Sequence, residues 1–118
     1  GKTVWIDDEA QMDAVTAVSG SGPAYVFLLA EAMVDAGIGE GLPPDAARTL
    51  ALQTVLGAAR MLTESDVDAA ELRRRVTSPN GTTQAAIEAF EAGGLRVLVA
   101  DAIHAARVRG AELSAAND

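Results

Sequence analysis

The chain has 118 residues, no cysteine and a formal net charge of −8 at a pI near 4.5. These values exclude disulfides and thiol chemistry and argue against a nucleic-acid partner, whose phosphates need a basic footprint. Apolar residues make up 49% but aromatic residues only 3%. One domain is therefore expected, with a core of closely approaching Ala, Leu and Val helices that buries ~65% of the extended chain's surface and leaves further apolar area for another subunit or domain.

In chain order, Val4-Trp5-Ile6 reads as a short β-like run, too short to stand alone. It predicts a junction segment over residues 1–7 whose strand pairs outside this chain. Asp7-Asp8-Glu9 favours a helix start, and Met12, Val15, Thr16 and Val18 suggest an amphipathic helix over about 8–18. Ser19-Gly20-Ser21-Gly22-Pro23 breaks it, with Ser21 as N-cap and Pro23 in the next first turn. The helix over about 22–36 carries Tyr25, Val26, Leu28, Leu29, Ala32 and Met33 around much of its circumference, so burial on more than one side is expected. Gly37 and Gly39 are the predicted stop.

Pro43-Pro44-Asp45 opens a helix over about 44–63, with Ala47, Leu50, Ala51, Thr54, Val55 and Ala58 at helical spacing. Gly57 inside it costs about 1 kcal/mol relative to Ala, which suits a place where another backbone comes close. Asp68-Ala69-Ala70-Glu71 reads as a capping box for a short helix ending near Val76. Thr82 to Glu91 forms the next helix, stopped by Gly93-Gly94, and Leu95 to Leu113 the last. The expected fold is all-α, with about six helices, three of them long, in one helical domain over residues 8–118.

No charged-then-apolar leader opens the sequence, and no apolar run approaches the ~18 residues of a membrane span. A cytoplasmic protein without a membrane partner is the expectation. Asn80-Gly81-Thr82 matches the N-glycosylation pattern and is read as accidental. Gly20-Ser21-Gly22 lacks both the preceding strand and the third small residue of a dinucleotide turn, so it reads as a helix corner. His104, the sole histidine, has Ala100 and Val108 at i±4, which leaves no metal-ligand spacing. Tyr25 reads as a core tyrosine with a satisfied hydroxyl.

The stretch Thr77 to Gln84 carries the clearest chemical signal. One helix ends and another begins at once, which predicts free backbone amides at Asn80 to Thr83. A helix N-terminus offers unsatisfied donors and partial positive charge to an anion, and the Thr82 and Thr83 hydroxyls can donate as well. The alternative is an ordinary corner capped by Ser78 or Thr82. Arg73-Arg74-Arg75, just upstream, reads as a solvated last turn or as a local positive field for that anion.

Ala17-Val18-Ser19-Gly20-Ser21-Gly22-Pro23-Ala24-Tyr25 and Val76-Thr77-Ser78-Pro79-Asn80-Gly81-Thr82-Thr83, with Gly41-Leu42-Pro43 and Gly57-Ala58-Ala59 between them, resemble the C-terminal domain of pyrroline-5-carboxylate reductase. The resemblance runs from about Val4 to Leu113. It implies reduction of 1-pyrroline-5-carboxylate to L-proline with NADPH or NADH, the last step of proline synthesis. The cofactor would be bound by a Rossmann domain that this chain lacks. It further implies an interlocking helical bundle that forms a homodimer and, in some members, a decamer. The substrate loop of the family maps onto Ser78, Asn80, Gly81, Thr82 and Thr83. Loop amides and Ser78 would hold the substrate carboxylate, and the Thr83 hydroxyl would approach the ring nitrogen. Asn80 departs from the family's usual Gly, and Asn tolerates the left-handed backbone such a turn needs. On this reading the fragment is inactive alone. A stand-alone helical oligomerisation module without a ligand is the competing expectation.

Overall fold

The computed structural model describes residues 3–5 and 8–116. These residues are all-α, with no strand among them. The elements are α1 (Glu9–Val15), a π-helical segment (Thr16–Gly20), α2 (Gly22–Gly39), α3 (Pro44–Glu64), α4 (Ala69–Arg75), α5 (Thr82–Ala92) and α6 (Leu95–Ala116). Val4 and Trp5 have no regular structure and are 76% and 87% exposed. Gly1, Lys2, Ile6 and Asp7 of the expected junction strand lie outside the described residues.

The chain divides into two compact units, residues 1–26 with 94–118 and residues 27–93. In the first, α6 packs on α1 and on the π segment, and Ala17 is buried. The contact is close: a Cβ on Gly110 of α6 would meet the Asp13 carboxylate oxygen at 3.3 Å. In the second, α3 packs against α4, and the buried residues are Ala30 of α2 and Ala47 and Ala51 of α3.

Two helix boundaries differ from expectation. The Ser19–Pro23 stretch does not break the helical path. Ser21 keeps right-handed helical dihedrals, and its amide donates to Thr16 O at 2.8 Å, five residues back. Pro23 has no N–H to give Ser19, and the wider π turn absorbs that loss. The Ser19 hydroxyl instead donates to Val15 O at 2.9 Å. At the end of α2 the stop is Gly41 rather than Gly37 or Gly39. Gly41 has φ +105°, its amide donates to Ile38 O at 2.9 Å, and the Leu42 amide donates to Gly37 O at 3.1 Å. This is the paired bonding of a Schellman end. Gly37 serves packing instead, since a Cβ there would meet Ala47 Cβ at 3.4 Å and Leu42 Cδ1 at 3.5 Å.

The core is thinner than composition predicts. The accessible surface is 9276 Å², against about 17,500 Å² for the extended 12.1 kDa chain and about 6,000 Å² for a folded monomer of that mass. Folding of one chain thus removes roughly half of the surface rather than ~65%. The reason is visible in α2, where Phe27 and Leu28 stay 69% and 66% exposed, and in α6, where Val97 and Leu98 do the same. Gly57 has nothing within 4 Å of a built Cβ, so the close backbone approach expected there is not made among the described residues. The helical run Gln11–Gly39, 29 residues, is long and apolar enough by length and composition to cross a membrane, contrary to expectation. Apolar residues on several sides produce that property.

Candidate functional site

The turn between α4 and α5 is assembled from both ends. Asp68 caps α4, its Oδ1 accepting the Glu71 amide at 2.9 Å. At the other end the Val76 amide is shared between Arg73 O and Arg74 O. The Thr77 amide also reaches Arg74 O, at 3.2 Å, and the Thr77 hydroxyl donates to Arg73 O. The chain then reverses over residues 78–81, with the Gly81 amide donating to Ser78 O at 3.1 Å. Pro79 stands second in this turn and Asn80 third, with φ +61°, the pattern of a type II turn. Asn80 is the only non-glycine with positive φ among the described residues, and its short amide side chain suits that conformation. Gly81 is extended and forms the N-cap of α5 without a side-chain cap. A Cβ at Gly81 would sit 3.3 Å from Ser78 O, which explains a glycine where φ itself demands none.

The expectation of free amides from Asn80 to Thr83 is half right. Gly81 N–H is used by the turn. Asn80 N–H donates to Gln84 Oε1 at 2.6 Å, and Gln84 Nε2 donates in turn to Glu88 Oε1 at 2.9 Å. The first α5 amide drawn into the helix ladder is that of Ala85, bonded to Gly81 O at 3.2 Å. The amides of Thr82, Thr83 and Gln84 therefore remain as the donors of the first turn. Neither Ser78 nor Thr82 caps the helix, so the corner alternative in that form is also corrected. Ser78, Asn80 and Thr82 are exposed, and Gly81, Thr83 and Gln84 are half-buried. The structure thus brings Ser78, Asn80, Gly81, Thr82 and Thr83 into one turn and adds Gln84. Gln84 stands three residues after the N-cap Gly81, but it bonds the Asn80 amide rather than the N-cap amide of a capping box, so no sequence pattern signals it.

Three cations, Arg73, Arg74 and Arg75, occupy the last turn of α4. Arg74 and Arg75 both bond Glu71, at 2.9 Å and 3.4 Å. The hydrogen bond from Arg74, followed by its charge, holds the Glu71 carboxyl below the ordinary carboxylate range. Arg73 and Arg74 both line an open cleft of about 500 Å³ with Thr77, Pro79, Gln84, Ile87 and Glu88. One carboxylate against three guanidinium groups leaves a net positive field beside the turn, offset on the α5 side by Glu88.

Elsewhere, Tyr25 donates its hydroxyl to Ala17 O at 2.8 Å, a structural bond within the first unit. His104 is exposed on α6. Among the described residues no group of three or more His, Cys, Asp or Glu is placed to hold a metal ion.

Comparisons with known proteins identify the family of the chain. The family model described as "Pyrroline-5-carboxylate reductase dimerisation" matches residues 9–113. A pyrroline-5-carboxylate reductase of Pseudomonas aeruginosa is 62% identical over 97% of the chain and 42% of its own length. One of Mycobacterium leprae is 51% identical over 89% and 42%. Among solved structures, the pyrroline-5-carboxylate reductase of Coxiella burnetii superposes with a TM-score of 0.92 at 47% identity, covering 96% of this chain and 42% of that one. The Plasmodium falciparum enzyme, solved with NADP bound, gives 0.83 at 36% identity over 88% and 40%. The chain spans about two-fifths of the length of these relatives.

Proposed function

The chain belongs to the pyrroline-5-carboxylate reductase dimerisation family, and from that premise we propose that it forms the homodimer core and the carboxylate end of the substrate site in a reductase that converts 1-pyrroline-5-carboxylate to L-proline with NADPH or NADH. The observation that carries this reading is the turn over residues 78–81. It leads directly into the first turn of α5, so that Ser78, the Thr82 and Thr83 amides and Thr83 belong to one short segment.

The chemistry follows from those groups. Two convergent amides at a helix N-terminus and one hydroxyl suit a carboxylate. Fixing that carboxylate orients the five-membered ring, so that its C=N carbon meets a hydride at a set distance and angle. Hydride addition to C=N is easier when the nitrogen is protonated or hydrogen-bonded, and Thr83 is the group assigned to it. Asn80 and Gly81, whose amides are occupied internally, contribute the shape of the loop. The nicotinamide cofactor would be held mainly by residues outside this chain, as its span of two-fifths of the relatives implies. The Phe27, Leu28, Val97 and Leu98 faces supply apolar area for the dimer, and further association such as a decamer would use the remainder.

Those faces alone would also suit a bare helical oligomerisation module, so the test separates the two. The intact reductase carrying Ser78→Ala should show a raised KM for pyrroline-5-carboxylate, an unchanged KM for NADPH and an unchanged oligomer. This chain by itself, given NADPH, should show no turnover. Robust turnover by the chain alone refutes its role as a partial site. An unaltered substrate KM in the Ser78→Ala enzyme favours the bare module.

A further inference from the structure

We propose that Gln84 is a positioning residue for the substrate loop: its side-chain amide locks the left-handed turn at Asn80 and so aims the Thr82 and Thr83 amides. The inference rests on the reading of the Ser78–Thr83 turn as the substrate site.

Gln84 occupies the third position of α5 and reaches back out of the helix, where its Oε1 accepts the Asn80 amide at 2.6 Å. The orientation of its amide group is not free. Nε2 donates to Glu88 Oε1 at 2.9 Å, and a carboxylate accepts only from the NH2 side, so the carbonyl is turned toward Asn80. The chain of three groups, Glu88 to Gln84 to Asn80 N–H, therefore has one polarity. It ends on the one non-glycine that holds positive φ among the described residues. A non-glycine residue in that region costs energy and persists when its surroundings over-determine it. Here two bonds do so, the Gly81 amide to Ser78 O and the Asn80 amide to Gln84. The first closes the turn from within, and the second ties it to the body of α5. Without Gln84 the turn keeps its closure and the bond from the Ala85 amide to Gly81 O, but Asn80 loses its tie to α5 beyond the turn. Asn80 stands where glycine would hold the same φ without strain, so this chain depends on the Gln84 tie more than a glycine-bearing loop would.

The experiment uses the intact reductase and three variants: Gln84→Ala, Gln84→Glu and the pair Asn80→Gly with Gln84→Ala. Hydrogen–deuterium exchange is read on the peptide containing the turn, and KM is measured for both substrates. Gln84→Ala should speed exchange in that peptide and raise KM for pyrroline-5-carboxylate roughly fivefold, with KM for NADPH unchanged. Gln84→Glu retains an acceptor for Asn80 N–H but repels Glu88 and a bound carboxylate. Its KM should be raised at neutral pH and recover as the pH is lowered. In the Asn80→Gly background the Gln84→Ala effect on KM should shrink, because the strain that Gln84 offsets is gone. Faster exchange with an unchanged substrate KM, or an undiminished Gln84→Ala effect in the glycine background, overturns the inference. Ser78→Ala measured alongside separates the two levels. If it raises KM and Gln84→Ala does not, only the role of Gln84 falls. If Ser78→Ala is silent as well, the substrate site lies elsewhere.

Discussion

Replacing Thr83 by Val tests whether the hydroxyl acts in chemistry or in the fold. The two residues are nearly isosteric, both are β-branched, and their helix propensities are close. The structure gives the hydroxyl no capping duty: the N-cap of α5 is Gly81, and no side-chain cap bond closes that end. Thr→Val should therefore shift the melting temperature by no more than about 2 °C, the equivalent of about 0.5 kcal/mol in a chain of this size. Against this, loss of one group that hydrogen-bonds the reacting nitrogen in the transition state lowers kcat by about 10²–10³-fold, or about 3–4 kcal/mol. Thr83→Ser keeps the hydroxyl and should retain kcat within about fivefold, the remainder reflecting the freer rotamer of serine. The assay is steady-state reduction of pyrroline-5-carboxylate by the intact reductase, with the oligomer checked by light scattering. A Thr83→Val enzyme with full kcat would refute the assignment. So would a Thr83→Val enzyme that lost activity only in proportion to lost folded protein.

Three further outcomes follow from the geometry. The chain should be a dimer by light scattering at micromolar concentration, and Leu28→Asp, at a position 66% exposed in one chain, should shift it toward monomer; a well-folded monodisperse wild-type monomer would contradict the account. Gly41→Ala places a Cβ at φ +105° and should cost about 1–2 kcal/mol, or about 4–8 °C in melting temperature for 118 residues at ~2.1 cal/mol/K each, whereas Gly39→Ala should not. Glu71 has a folded-state pKa lowered first by its hydrogen bond from Arg74, so its small contribution is present above the ordinary carboxylate value and is lost as the pH falls through the lowered one. Glu71→Gln should flatten that acid limb of the stability profile, and an unchanged limb would remove Glu71 from it.

Long periodic elements were legible in the sequence, and devices depending on a single bond were not. The α3, α5 and α6 helices were readable because their apolar residues recur at helical spacing over three or more turns. The left-handed backbone at Asn80 is expected from the resemblance, which puts glycine at that position, and Asn is among the few other residues that tolerate it. The end of α2 was misread because Gly37 and Gly39 precede Gly41, and composition does not distinguish a glycine kept for packing from one kept for φ. The π segment left no trace, since a bond from Ser21 to Thr16 changes the ladder without changing the pattern of apolar residues. At the site, the turn and its hydroxyls were visible. The occupation of the Asn80 amide by Gln84 was not, because it depends on a side-chain rotamer. The thin core was misjudged for a related reason: a sequence records which faces are apolar but not whether they close on the same chain.

The most direct measurement of the central claim is a crystal structure of the intact reductase with L-proline bound. The account predicts the proline carboxylate within about 3 Å of the Thr82 and Thr83 amides and the Ser78 hydroxyl, with the ring nitrogen facing the Thr83 hydroxyl. A carboxylate seated away from the α5 N-terminus, with the Ser78–Thr83 turn empty, would contradict it.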